Sequence, residues 1–195
     1  YPTGVLDYYA ATSGKCGTKL ATEVQTGSVA CDVAWLADPS AMISLKGEGN
    51  LVAYQSPFAA GISDKFKDPE GYYCGARLLL MGMTYSTISC SDAQAPRNYD
   101  EVLNDTFQDQ IVLTDPTGSG STKALVYALT NHEKYGWSYF EKLKALGAEL
   151  QSSSGSTNNA VATGACKLAF GVDYNTKNLI ADGSPLGWHD TTDIV

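Results

Sequence analysis

Residues 110–122 read QIVLTDPTGSGST: a short run of Ile, Val and Leu, then Asp-Pro, then a turn of Thr, Gly and Ser. A brief apolar run bounded by turn residues is the signature of a strand buried on both faces. The turn feeds residues 123–131, KALVYALTN, a stretch of good helix formers. Strand, small polar turn and helix together form the repeating unit of an α/β sheet.

The unit recurs outward in both directions. Toward the C-terminus, residues 149–152 read as a strand, then comes a second Ser-Gly-Ser-Thr at 154–157, then a helix to Gly164. KLAFGV at 167–172 is a further strand, followed by a helix over 173–181 that Gly183 and Pro185 close. Residues 135–147 form a helix ending at Gly147, and residues 98–103 a short one. Toward the N-terminus, residues 77–87 (RLLLMGMTYST) predict a long extended strand, and residues 54–75, rich in Pro, Gly and Asp, a loop with a short helix. CDVAWL at 31–36 predicts a buried strand, and Asp38-Pro39-Ser40 opens a helix that stops by 47–49. Residues 4–11 predict a strand running through Thr12-Ser13-Gly14 into a helix that stops near Gly27. Alternating strands and helices predict a parallel sheet in α/β layers.

The turns carry the chemistry. The first turn of a helix has unpaired backbone N–H groups and a partial positive charge. Glycine admits close approach to that backbone, and Ser and Thr hydroxyls add donors, so such turns suit an oxyanion: phosphate, phosphonate, sulfate, carbonate or carboxylate. In open α/β sheets they gather at the carboxyl ends of the strands. The candidate ligand groups are Ser13, Thr117, Gly118, Ser119, Gly120, Ser121, Thr122, Ser154, Ser156 and Thr157. The plain alternative is that these residues simply cap helices. Asp38 and Asp173 follow two of the strands, Asp38 also reading as an N-cap before Pro39. Tyr174 reads as a hydrogen-bond donor to an anion, a ligand for a hard cation such as Fe³⁺, or a packed ring. Trp35 is core or cleft lining on this reading.

Composition closes off other classes. The chain has 195 residues, 44% hydrophobic and 17% charged, with a net charge of -8. Mean hydropathy is -0.15 and the pI about 4.6. That is a folded, globular composition, and its acidity argues against a nucleic-acid partner. No apolar run approaches the roughly 18 residues of a membrane span. No basic, apolar-centred leader opens the chain, which reads as mature, trimmed or cytosolic on that basis alone. The Walker pattern fails because Lys123 follows Thr122 and precedes Ala124, and the GxSxG elbow is absent. His132 at a helix end and His189 in a polar loop read as surface residues rather than catalytic bases. Of the five cysteines, at positions 16, 31, 74, 90 and 166, none are spaced CxxC, so zinc lacks local support and at least one thiol is free.

Four stretches carry a family resemblance: CDVAWLADPSAMISLKGEGNLVAYQSP, GARLLLMGMTYSTIS, QIVLTDPTGSGSTKALVYAL and KLAFGVDYNTKNLIADGSPLGW. In order and over nearly the whole chain, the sequence resembles the periplasmic solute-binding proteins of bacterial ABC importers. The branch is the one labelled ferric-iron transport, with relatives that take up phosphonates or sugar phosphates. DPTGSGSTKAL and FGVDYNTKNLIADGSPL are its most specific parts. The resemblance implies an α/β, two-lobed type 2 periplasmic-binding fold, with mixed, mostly parallel sheets and flanking helices, that closes on its ligand and presents it to an inner-membrane permease. Residues 1–82 would be lobe one, residues 83–190 lobe two, and residues 191–195 the start of a strand returning through the hinge, with 77–87 the other hinge strand. Members run to about 300 residues, two domains of ordinary size. On that comparison lobe one lacks its first strand–helix unit and its closing part.

The resemblance also implies site roles. In ferric-binding relatives a Pro-Thr-Ser-Gly turn holds a synergistic anion, matched here by Pro116, Thr117, Ser119, Gly120 and Ser121. Those relatives carry a Tyr-Tyr pair for iron, of which Tyr174 remains, followed by Asn175. Where they place a glutamate, this chain reads Leu36-Ala37-Asp38. The set is thin for Fe³⁺, so the expectation is a small anionic solute, phosphorylated or a phosphonate, with no cofactor. The alternative is Fe³⁺ held with a synergistic anion, Tyr174 then being its ligand. Expected with it are a monomer, no membrane insertion, and a periplasmic location or a lipid anchor on a Gram-positive surface. An enzyme on the same fold would need Asp38 or Asp173 as base, and the expectation is that the chain is not one; a trimmed domain without function of its own is the third reading.

Overall fold

The computed structural model describes residues 4–192, so the expected return strand at 191–195 falls largely outside the described residues. The chain divides into two compact units, Tyr1–Gly75 and Ala76–Val195.

In the first unit, helix α1 (Ser13–Thr26) starts at Thr12, whose hydroxyl accepts from the Lys15 amide. It stops at Gly27, whose φ of 68° lets its amide and that of Ser28 turn back onto the Val24 and Glu23 carbonyls. Helix α2 (Pro39–Gly47) starts at Asp38. Short 3-10 turns follow at Pro57–Gly61 and Asp64–Phe66, in the region expected to be a loop with a short helix. The strands expected at 4–11 and 31–36 do not form, and Val33 and Trp35 stay 82% and 71% exposed. Their β-rich composition is insufficient because no neighbouring strand pairs their backbone, and an isolated strand gains nothing from extension.

Asp68 is the buried side chain of this unit among the described residues. Lys46 Nζ bonds Asp68 Oδ1 at 2.7 Å and Glu70 Oε1 at 2.9 Å, while Asp68 Oδ2 accepts the Glu70 and Tyr72 amides. The Lys46 bond first, then the amides, hold the Asp68 carboxyl below its ordinary value of 3.8. A depressed carboxylate stabilises above its unfolded pKa and loses that contribution as pH falls through its folded pKa. Amide protection at Glu70 and Tyr72 is therefore expected to collapse below about pH 4 in wild type and to be weak at every pH in Lys46→Met, read by hydrogen exchange.

The second unit is one five-stranded sheet. In chain order its elements are β1 (Met81–Ser86), α3 (Tyr99–Val102), β2 (Ile111–Thr114), α4 (Gly120–Thr130), α5 (Gly136–Ala145), β3 (Glu149–Gln151), α6 (Ser154–Ala162), β4 (Leu168–Val172), α7 (Asp173–Ala181) and β5 (Leu186–Asp190). The strand order is β3-β2-β4-β1-β5. β2 pairs in parallel with β3 and β4, and β1 pairs antiparallel with β4 and β5, so β1 alone opposes the other four. The strand expected over 77–87 is shorter, because residues 77–80 pair with no other strand.

Every residue of β2 and β4 is buried, and their alternation supplies both faces of the sheet. Ile111, Leu113, Leu168 and Phe170 join the core under α3, α4 and α5, with Met83, Tyr99, Leu129 and Tyr139. Val112 and Ala169 point the other way and pack with Val161 and Leu186 under α6 and α7. The result is a helix–sheet–helix sandwich, the α/β arrangement expected from sequence.

One expectation is overturned here. His189 lies on β5, 5% exposed, with both ring nitrogens bonded, and not in a surface loop. Nothing local announces a strand here, and its register places His189 opposite Met83.

Candidate functional site

β2, β3 and β4 run the same way, so their carboxyl ends lie on one edge of the sheet, where α4, α6 and α7 begin. β1 enters from that edge, with Met81 opposite Val172. Three helix N-termini therefore share one edge, the arrangement in which α/β sheets bind ligands.

The turn after β2 is built by Asp115, which the sequence reading passed over. Its Oδ1 accepts the Thr117 amide at 2.8 Å and hydroxyl at 2.7 Å, and its carbonyl accepts the Gly118 and Ser119 amides. The Thr117 hydroxyl and amide hold the Asp115 carboxyl below the usual range. Its own amide bonds the Gln151 carbonyl at the end of β3, tying the two turns together. Asp at this turn position is the available signal for it. Thr117 thus spends its hydroxyl inside the turn, and Gly118 serves the same turn.

Ser119 caps α4, its Oγ accepting the Thr122 amide at 3.2 Å and the buried Thr122 hydroxyl at 3.0 Å, with Ser121 Oγ 3.2 Å away. The Gly120 and Ser121 amides, first and second in the helix, have no hydrogen-bond partner among the described residues.

The second Ser-Gly-Ser-Thr is shifted by one residue against its helix. Its cap is Ser153, not Ser154, and Ser156 completes a reciprocal capping box with it. Thr157 is buried, pairs with Thr114 across a 2.9 Å hydroxyl contact and donates to the Ser153 carbonyl. Ser154 Oγ and the Ser154 and Gly155 amides have no partner among the described residues.

α7 follows β4 directly and has no side-chain cap. Asp173 grips the chain entering β1: its amide donates to the Leu80 carbonyl, and its Oδ1 accepts the Leu80 amide. The Arg77 guanidinium lies 4.1 Å from the centre of the Tyr174 ring.

A depression between these ends is lined by Met81, Thr114, Thr122, Ser154, Thr157, Asn158, Phe170, Gly171 and Val172. The structure brings Thr122, Ser154 and Thr157 to it. Thr117, Gly118, Ser119, Gly120, Ser121, Ser156, Asp173 and Tyr174 sit on the turns and first helical turns at the same edge of the sheet without lining it. Asn158, which the sequence reading missed, is 4% exposed, lines the depression and makes no side-chain hydrogen bond among the described residues. Its carboxamide is not sealed from solvent, since the buried side-chain polar atom without a partner among the described residues is Ser86 Oγ. The place of Asn158 one residue past the Ser-Gly-Ser-Thr is the signal that was available.

Ser13 and Asp38 belong to the first unit. Ser13 Oγ accepts the Ala37 amide at 3.3 Å, and Asp38 Oδ1 accepts the Ser40 amide at 2.9 Å as the cap of α2. Among the described residues no group of three or more His, Cys, Asp or Glu side chains is placed to hold a metal ion. No described helix is long and apolar enough to cross a membrane.

Comparison with curated proteins gives no match. Among solved structures, iron-bound HitA from Pseudomonas aeruginosa aligns with a TM-score of 0.76 at 16% identity, covering 91% of this chain and 57% of that one. The periplasmic binding protein AfuA from Actinobacillus pleuropneumoniae, with exogenous fructose-6-phosphate bound, aligns at 0.75 with 20% identity over 94% of this chain and 60% of that one. The ferric binding protein from Campylobacter jejuni gives 0.75 at 18% identity, over 96% and 62%. These likenesses establish the fold, that of type 2 periplasmic binding proteins, and the chain spans a little over half the length of the first of these structures. Residues 30–186 match the family model of the bacterial extracellular solute-binding proteins, and the chain belongs to that family.

Proposed function

We propose that the chain is the solute-binding component of an ABC importer, and that its second unit holds a small anionic solute, phosphorylated or a phosphonate. One observation carries this reading: three helices begin at one edge of the sheet, and the Gly120, Ser121, Ser154 and Gly155 amides in their first turns have no hydrogen-bond partner among the described residues. Backbone amides at helix N-termini supply fixed donors, Ser154 and Asn158 add polar side chains, and Arg77 brings a positive charge to the start of α7. The proposed role is capture and delivery to an inner-membrane permease without turnover, by a monomer working in the periplasm or from a lipid anchor. In the family comparison the second unit corresponds to lobe two, residues 83–190, and the first to a partial lobe one, residues 1–82.

Iron is the second reading, because HitA and the Campylobacter protein are iron binders by name. Fe³⁺ seeks several anionic oxygens, and Tyr174 offers one phenol beneath a guanidinium that repels a trivalent cation. Calorimetric titration of the full chain with inorganic phosphate and with a hexose phosphate is expected to show saturable binding. Loading with ferric ion and carbonate is expected to give no tyrosinate-to-iron absorption band. Binding of iron alone, with a band that Tyr174→Phe removes, sinks the anion reading.

A further inference from the structure

The imidazole of His189 faces an acceptor at each nitrogen. Nδ1 lies 3.1 Å from the Pro96 carbonyl and Nε2 lies 2.9 Å from Asp92 Oδ1. A carbonyl oxygen only accepts, so Nδ1 must carry a proton. Asp92 also takes the Tyr85 hydroxyl at 2.7 Å and the Arg97 guanidinium at 3.0 Å. An ionised carboxylate only accepts, so Nε2 must carry a proton as well.

We propose that His189 is a proton-dependent latch, an imidazolium that fastens β5 to the segment 87–98 and lets go when it loses either ring proton. Neutral histidine leaves a lone pair facing either the Pro96 carbonyl or the Asp92 carboxylate, so one bond becomes a repulsion. The latch sits where the chain leaves the sheet. Thr192 is strapped to the same segment, its amide and hydroxyl both donating to the Arg97 carbonyl.

The surrounding charges agree. From β1, the Tyr85 ring lies 5.0 Å from the His189 ring, and its hydroxyl is pushed up to about 12 by burial and then by its bond to Asp92, so it stays a neutral donor. From the segment 87–98 come Asp92, Arg97 and the Cys90 thiol, which burial pushes up and keeps neutral. On β5 itself, Asp190 is turned to the Trp188 indole and Lys177. The His189 bond first, then the Tyr85 bond, hold the Asp92 carboxyl below its ordinary value of 3.8. The sign follows: acid removes the latch as Asp92 takes up a proton.

The idea is independent of the ligand reading, and the full chain without ligand tests it. Nitrogen-15 NMR of the ring at about pH 5 is expected to show both His189 nitrogens protonated. Lowering the pH through the titration of Asp92 is expected to lower Tm by roughly 5 °C and to speed amide exchange over residues 90–98. Asp92→Asn, whose carboxamide oxygen or amino group satisfies a neutral imidazole, is expected to flatten that Tm profile; His132→Gln, at the other histidine, is expected to leave it intact. A single ring proton on His189 at pH 5, or an unchanged profile in Asp92→Asn, overturns the proposal.

Discussion

Asn158→Asp is expected to reduce phosphate affinity by about a thousandfold in a calorimetric titration of the full chain. The exchange keeps the shape of the side chain and replaces a carboxamide with a carboxylate in a buried position on the depression. Two unit charges about 4 Å apart repel by roughly 4 kcal/mol at the effective dielectric of a protein surface, which is the thousandfold. Asn158→Leu removes the donor without adding charge and is expected to weaken binding by only ten- to a hundredfold, in line with about 1.5–3 kcal/mol for a hydrogen bond to a charged group. The ordering of the two variants separates the two ligand classes. A cation in this site would bind Asn158→Asp more tightly than wild type, so a gain in affinity for ferric ion with a loss of none for phosphate reverses the proposed function.

Gly171→Ala is expected to destabilise the second unit by about 3 kcal/mol in urea unfolding. Gly171 lies in the fully buried strand β4, opposite Gly82 of β1, and a Cβ there would run into the Thr84 hydroxyl and crowd that of Thr176. Those two hydroxyls bond each other at 2.8 Å in the buried layer between β1 and α7, so the methyl also strands them. The space is specific: removing the Thr84 side chain beyond Cβ in Gly171→Ala/Thr84→Ala is expected to recover much of the loss, a coupling that a double-mutant cycle measures. Additive losses in the double variant would show that the strain lies elsewhere.

The second unit was legible because its local signals agree with one another. QIVLT and KLAFGV are short apolar runs bounded by turns, and they became β2 and β4, buried on both faces. The helix at Asp173–Ala181 was readable to the residue, since Gly183 closes it. In the first unit the same kind of run, CDVAWL, stayed exposed. An apolar run forms a strand only when backbone partners exist, and that is a property of the tertiary fold that a local pattern cannot encode.

The turns proposed to form the site were legible as helix starts, and the roles of their individual atoms were not. The two Ser-Gly-Ser-Thr copies both start helices at the same sheet edge, as read, yet one begins at the cap and the other one residue inside it. That shift gives Ser156 to a capping box, while Ser154 lines the depression. Asn158 escaped notice because a lone Asn in a helix carries no motif; only the fold places it on the depression. His189 was misread for the related reason that its acceptors, Asp92 and Pro96, lie almost a hundred positions away in sequence.

The most direct test of the central claim is a titration of the nitrogen-15-labelled chain with inorganic phosphate, followed amide by amide. The account predicts saturable shifts concentrated at Gly120, Ser121, Ser154, Gly155, Tyr174 and Asn175 and at the Asn158 side-chain amide, with α1 and α2 unmoved. Shifts that are absent, or that fall at the starts of α1 and α2 instead, would contradict it.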